Sequence, residues 1–166
     1  MINLKFSENK KIYLKKENFY LIIFIFFLFS LDRLTKVLIL DNFTDNTYYF
    51  NDFLNLDLVW NTGIGFGLLT TSNNLVYNVT SLMIALVIGF LIYIGLKSET
   101  SEKIIFSVII GGAIGNFYDR IVFKGVPDFI DLHYGNFHWF TFNVADIFIT
   151  VGILIYILKG FFTKNE

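Results

Sequence analysis

Asp32, Asp119 and Asp146 stand inside long apolar runs, each with polar company at helical spacing. Asp32 is followed by Lys36 at i+4, Asp119 follows Asn116 at i+3 and precedes Arg120, and Asp146 follows Asn143 at i+3. Carboxylates in apolar surroundings can pair with a cation, share a proton with one another, or line a proton or ion path. Other chemistries are excluded by what is missing. The absence of cysteine removes thiol nucleophiles, disulfides and cysteine-based metal sites, and neither a Gly-x-Ser-x-Gly elbow nor a His-Glu-x-x-His pair is present. His133 and His138 are too few for most histidine-based metal sites, and beside Trp139 and Phe140 they read as interfacial packing. No metal and no cofactor is expected.

The elements that position these acids follow from composition. The 166 residues are 55% hydrophobic and 16% charged, with a mean hydropathy of +0.60, against roughly 25% charge in ordinary soluble domains. A bilayer is the natural solvent. A net charge of -1 gives no basic excess for nucleic acid. Spanning helices need about 20 mostly apolar residues, which predicts an all-α membrane protein, one domain over 1–166, with transmembrane helices at about 19–40, 75–96, 104–123 and 142–162. The N-terminus looks like a signal peptide, but Asp32-Arg33-Leu34-Thr35-Lys36 stands where a small-residue cleavage site belongs, so it reads as an uncleaved anchor. Between the first two helices, at 41–74, Leu54, Leu56, Leu58 and Trp60 alternate with Asn55, Asp57, Val59 and Asn61. That period predicts a small β-platform on the outer surface, running into the turn-forming glycines 63, 65 and 67.

Lysine asymmetry orients the bundle. Lys5, Lys10, Lys11, Lys15 and Lys16 precede the first helix, Lys97 and Lys103 lie between the second and third, and Lys159 and Lys164 end the chain, whereas 41–74 has no Lys or Arg and 124–141 only Lys124. Both termini are expected in the cytoplasm. Helices one and three then run outward and helix four inward, which brings Asp32, Arg33, Lys36, Asn116, Asp119, Arg120, Asn143 and Asp146 to one depth near the outer face. A central charge costs about 2.5 to 3.5 kcal/mol on insertion scales, so such a cluster marks a site. Gly111, Gly112, Ala113 and Gly115 offer a small-residue surface where another helix or a substrate backbone can approach.

Plainer readings stand beside this one. Asp32 and Lys36 can be a structural ion pair with Lys36 snorkelling outward, and Asp119 with Arg120 an orienting pair at the interface. Asp146 has no basic residue within four positions and is harder to explain structurally. Asp128 and Asp131, on the outer connection, read by themselves as solvated carboxylates. A transporter with an acidic proton path, or an adaptor presenting its outer loop, are the rivals from other classes. A charge-free second helix argues against conduction.

At these residues the sequence resembles lipoprotein signal peptidase, or signal peptidase II, a family of aspartic peptidases of the bacterial inner membrane. The resemblance rests on Asp32-x-x-x-Lys36, Asn61-x-Gly63-x-Gly65-Phe66, Gly111-Gly112-Ala113-x-Gly115-Asn116-x-x-Asp119-Arg120, Val126-x-Asp128-Phe129 and Phe142-Asn143-x-Ala145-Asp146, in that order along nearly the whole chain. Gly65 stands where the family usually has Ala, and Arg33 where Gln is common. The resemblance implies that Asp128 and Asp146 are the catalytic pair and that Asn61, Asn116, Arg120 and Asn143 line the substrate site. Asp32, Lys36, Gly63, Gly115, Asp119 and Ala145 then support them. It also implies a diacylglyceryl-modified prolipoprotein as substrate, cut before the lipid-modified cysteine at the outer face of the bacterial inner membrane, membrane lipids as surroundings, and inhibition by globomycin-type peptides. Two carboxylates held close share one proton; one activates water while the other protonates the scissile carbonyl or leaving amine.

Overall fold

The computed structural model describes residues 16–43, 47–63 and 73–163. Long apolar runs without interior proline fold as helices α1 (Lys16–Asn42), α2 (Asn74–Lys97), α3 (Thr100–Phe123) and α4 (Val144–Thr163). Strands β1 (Tyr48–Asn51), β2 (Leu54–Asn61), β3 (Val126–Tyr134) and β4 (Phe137–Phe142) form one antiparallel sheet in the order β1-β2-β3-β4. Asn73 caps α2 through its side-chain oxygen, which accepts from the N–H groups of Leu75 and Val76. Lys124, at φ 59°, ends α3 in a left-handed turn that sends the chain into β3.

Among the described residues three helices, α2, α3 and α4, are long and apolar enough to cross a membrane. Leu82, Leu86 and Phe90 on α2 and Leu154 and Phe161 on α4 face outward. Such a belt is costly in water and solvated in lipid, and the protein is a membrane protein. Helix α1 carries the same outward dress in Phe19, Ile22 and Phe26, while its opposite face buries Asp32 and Lys36. Lys36 is fully buried, so the expected outward snorkelling does not occur: its ammonium turns inward to three polar partners.

Helix α3 is the hub, packed against α1, α2 and α4 through Ile105, Phe106, Ile109 and Ile110. Its glycines set the spacing. A Cβ on Gly111 would lie 2.8 Å from Leu28 Cβ of α1, one on Gly112 would lie 2.5 Å from the Ala145 carbonyl of α4, and one on Gly115 would run into the Asp32 carboxylate. Neighbouring helices therefore fill the small-residue stripe, and the substrate-backbone alternative falls away along this stretch.

The platform is larger than its expected place in 41–74. β1 and β2 lie there, but β3 and β4, from the connection 124–141, supply the other half of the sheet. Pro127 pairs with Trp60 of β2. β4 joins β3 only from Ile130 onward, so the missing N–H of Pro127 costs no bond on that side. Gly65, Phe66 and Gly67 lie outside the described residues, as do Lys5, Lys10, Lys11, Lys15 and Lys164.

Candidate active site

Asn143 and Asp146 form a reciprocal cap at the start of α4. Asn143 Oδ1 accepts from the Asp146 N–H at 3.1 Å, and Asp146 Oδ2 accepts from the Asn143 N–H, also at 3.1 Å. This is the logic of a capping box, in which the cap residue and the third helical residue satisfy each other's free donors. Asn143 therefore stands before the helix rather than inside it, against the expected start at 142. The Ala145 N–H, another free donor of this turn, goes to Asp32 Oδ1 at 3.1 Å. Three helices meet here because the first turn of α4 is finished by a carboxylate from α1 and seated on a glycine of α3.

The cap also reaches the sheet. Asn143 Nδ2 donates to Asp128 Oδ1 at 2.6 Å, and Asn61 Nδ2, from the end of β2, donates to Asp128 Oδ2 at 2.9 Å. Asn61 is held in turn by Gly63, whose N–H donates to its Oδ1 at 2.8 Å. On the other side Asn116 Nδ2 donates to Asp146 Oδ1 at 2.8 Å, while Asn116 Oδ1 accepts from Lys36 Nζ at 2.8 Å. Lys36 also holds Asp32 Oδ2 at 2.8 Å and Asp119 Oδ2 at 2.7 Å. One hydrogen-bonded chain thus runs from Asp119 through Lys36, Asn116, Asp146, Asn143, Asp128 and Asn61 to Gly63.

Each candidate residue read from the sequence has a place in or beside this chain, with Ala145 and Gly115 as the contact points between helices. One local pairing differs from expectation. Asp119 takes its guanidinium from Arg33 of α1 and its ammonium from Lys36, not from its neighbour Arg120; Arg33 also lies 4.9 Å from the Tyr118 ring. Arg120 is buried with Nε and Nη1 lacking hydrogen-bond partners. Its backbone carbonyl accepts from Tyr77 Oη at 2.9 Å, which ties α2 to the site.

Asp128 and Asp131 are also corrected from their residue-alone reading as solvated groups. They are 2% and 5% exposed, because β3 is covered by β2 and by the cap of α4. Burial, and next the negative charge of Asp146, push the Asp128 carboxyl up to about 7, against the pull of the Asn61 and Asn143 amides and of Lys36. Its protonated form therefore favours the fold. That contribution is complete below about pH 3.8 and is lost as the pH rises through about 7. Asp131 has other company: Asn55 Nδ2 at 3.3 Å and His138 Nδ1 at 2.8 Å. Tyr134-Gly135-Asn136-Phe137, with Gly135 at φ +58° between aromatic flanks, is the hairpin signal that would have found this group.

Two buried acids, one on a strand and one in the first turn of a helix, are joined through a single asparagine, an arrangement that can divide proton donation from proton acceptance. The fold agrees: the chain is similar to a bacterial membrane enzyme solved by the in meso method at 2.3 Å resolution, with a TM-score of 0.73 and 26% identity over 89% of this chain and 91% of that one. A second such structure, at 1.9 Å resolution, gives a TM-score of 0.68 at 25% identity.

Residues 24–162 match the family model described as signal peptidase (SPase) II, and the chain belongs to that family of proteases. The lipoprotein signal peptidase of Pelagibacter ubique is 48% identical over 154 residues, covering 90% of this chain and 93% of the relative. That of Francisella tularensis subsp. novicida is 43% identical over 121 residues, covering 69% and 73%.

Proposed function

We propose that this chain is a single membrane domain of four spanning helices that removes signal peptides from diacylglyceryl-modified prolipoproteins, cutting before the lipid-modified cysteine with Asp128 and Asp146. The observation that carries the reading is the Asn143 bridge, which donates its side-chain amide to one carboxylate and its backbone N–H to the other. Asp128 holds a proton near neutrality beside the charge of Asp146. Asp146 takes a proton from the attacking water while Asp128 gives its own to the carbonyl oxygen; Asp146 then passes its proton to the leaving amine as Asp128 recovers one from a hydroxyl of the gem-diol, so both acids end as they began. Arg120, with two open guanidinium N–H groups, is placed to hold substrate carbonyls, and Asn61, Asn116 and Asn143 keep the acids aimed.

A groove of about 230 Å³ beside Asp146, lined by Leu132, Phe140, Phe142, Ile147 and Val151, suits an acyl chain. Each buried methylene contributes about 0.8 kcal/mol. Purified protein in detergent is expected to cut a lipidated preprotein and to cut its unlipidated form at least 100-fold more slowly; equal rates would reject the substrate. Globomycin-type cyclic peptides, by the family resemblance, should compete for this site.

The pH profile tests the acid. Turnover is expected to fall above about pH 7 as Asp128 loses its proton. Asn61→Ala removes a hydrogen bond to the ionised form and should move that limb to higher pH. An unmoved limb would separate Asp128 from the observed titration.

On topology, lysine asymmetry places both termini in the cytoplasm and the acids at the outer face of the bacterial inner membrane. A reporter fused after Glu166 should be cytoplasmic and one inserted between residues 43 and 47 external. The opposite pattern would remove the site from the side where exported substrates arrive.

A further inference from the structure

We propose that the β3–β4 hairpin carries a binding site for one divalent transition cation of the zinc class, held by Asp131, His133 and His138 apart from the acid pair. His133 and His138 face each other across the two strands, and Asp131 lies two residues along from His133. One carboxylate oxygen and the two ring nitrogens lie within 4.8 Å of one another. Asp131 Oδ2 is 2.8 Å from His138 Nδ1 and 3.9 Å from His133 Nδ1. A tetrahedral zinc ion with bonds of about 2.1 Å sets its donors about 3.4 Å apart, between these two separations, so side-chain adjustments of about half an ångström close the site.

Two further atoms point to a missing partner. The His133 side chain is 9% exposed, and its Nδ1, aimed at Asp131, is buried without a hydrogen bond. A buried polar nitrogen left unpaired is unfavourable, and 3.9 Å is beyond hydrogen-bond reach. A cation between the three groups satisfies it. Asn55 Oδ1 is likewise buried without a donor, while Asn55 Nδ2 donates to Asp131 Oδ2. A water in the fourth position of an ion held by three protein ligands would donate to it. Two imidazoles with one carboxylate favour zinc, cobalt, nickel or copper over magnesium or calcium. The His138 ring is 55% exposed and leaves an entry path from the outer side. The ion would clamp β4 to β3, the strand that carries Asp128, and takes no part in the reaction.

The test uses the full chain in detergent, purified without a polyhistidine tag and stripped with EDTA. Zinc chloride alone is titrated by calorimetry and thermal melting, and cobalt by visible absorption. One zinc per chain and a rise in melting temperature of about 5 to 10 °C at 100-fold excess over the dissociation constant are expected, reversed by EDTA, with tetrahedral cobalt bands. His138→Ala removes an exposed ring, so it should melt like the stripped wild type and lose both the shift and the bands. Asp131→Asn should weaken binding at least 10-fold. A wild-type shift below 1 °C overturns the site. So does an undiminished shift in His138→Ala, which would move the zinc to Asp128 and Asp146.

Discussion

Asp128→Asn and Asp146→Asn are each expected to lower turnover of lipidated substrate by about 10³-fold or more while leaving the protein inserted and folded. The substitution keeps shape and removes the group that gives or takes the proton. Its structural cost is bounded by the hydrogen bonds. Asp128 accepts from Asn61 and Asn143, and Asp146 from Asn116 and the Asn143 N–H. An amide in either place keeps one acceptor and turns a second donor against the other, a loss of about 1 to 3 kcal/mol, offset by the removal of a buried charge. Asp119→Asn should differ in kind. Asp119 touches Lys36 and Arg33 but neither acid, so its loss should lower stability more than turnover of the folded fraction. Asp131→Asn should matter least to the rate. Rates for the four purified variants, with melting temperatures beside them, decide this. An active Asp128→Asn protein together with a folded but dead Asp119→Asn protein would move the chemistry to α3.

Lys36→Met is expected to be among the most destabilising single changes in the chain. Its ammonium holds Asp32 and Asp119, both fully buried, and also Asn116. Removing one member of a buried ionic cluster leaves uncompensated charge, with a typical cost of about 3 to 5 kcal/mol. For a chain of this size that lowers the melting temperature on the order of 10 °C. Activity of the surviving folded protein should fall too, because Asn116 links Lys36 to Asp146 and Asp32 holds the first turn of α4. Adding Asp32→Asn removes one stranded charge and should recover part of the melting temperature without recovering the rate. A Lys36→Met protein that melts within about 2 °C of wild type would show that the ammonium is replaceable.

Much of this was legible because charged residues in apolar helices are expensive and have few places to go. Asp32, Lys36, Asn116, Asp119 and Asp146 could be brought to one depth from hydropathy and lysine asymmetry, and β2 was found at Leu54–Asn61 from its alternation. Pairing within the cluster was not legible. The order along α3 favours Asp119 with Arg120, yet adjacent helix residues point apart by about 100°, and Arg33 of α1 takes the place instead. The 124–141 connection, expected as a plain outer connection, folds as β3 and β4, and Val126–Tyr134 is mostly buried and lacks the clean period of two that marks β2. Strand pairing supplies what period could not. It also explains why Asp131 and the two histidines looked like surface residues: their proximity exists only once β3 and β4 are in register.

The cap of α4 has a consequence for control. Asn143 and Asp146 satisfy each other at the helix end, and the same asparagine joins Asp146 to Asp128. Forming the helix end and assembling the site are then a single folding event, with no separate rearrangement between them. A chain built this way offers little scope for an inactive folded form that a modification or effector could switch on. Its output in the cell would be governed by how fast modified substrate is delivered to it and by how much of the chain is made.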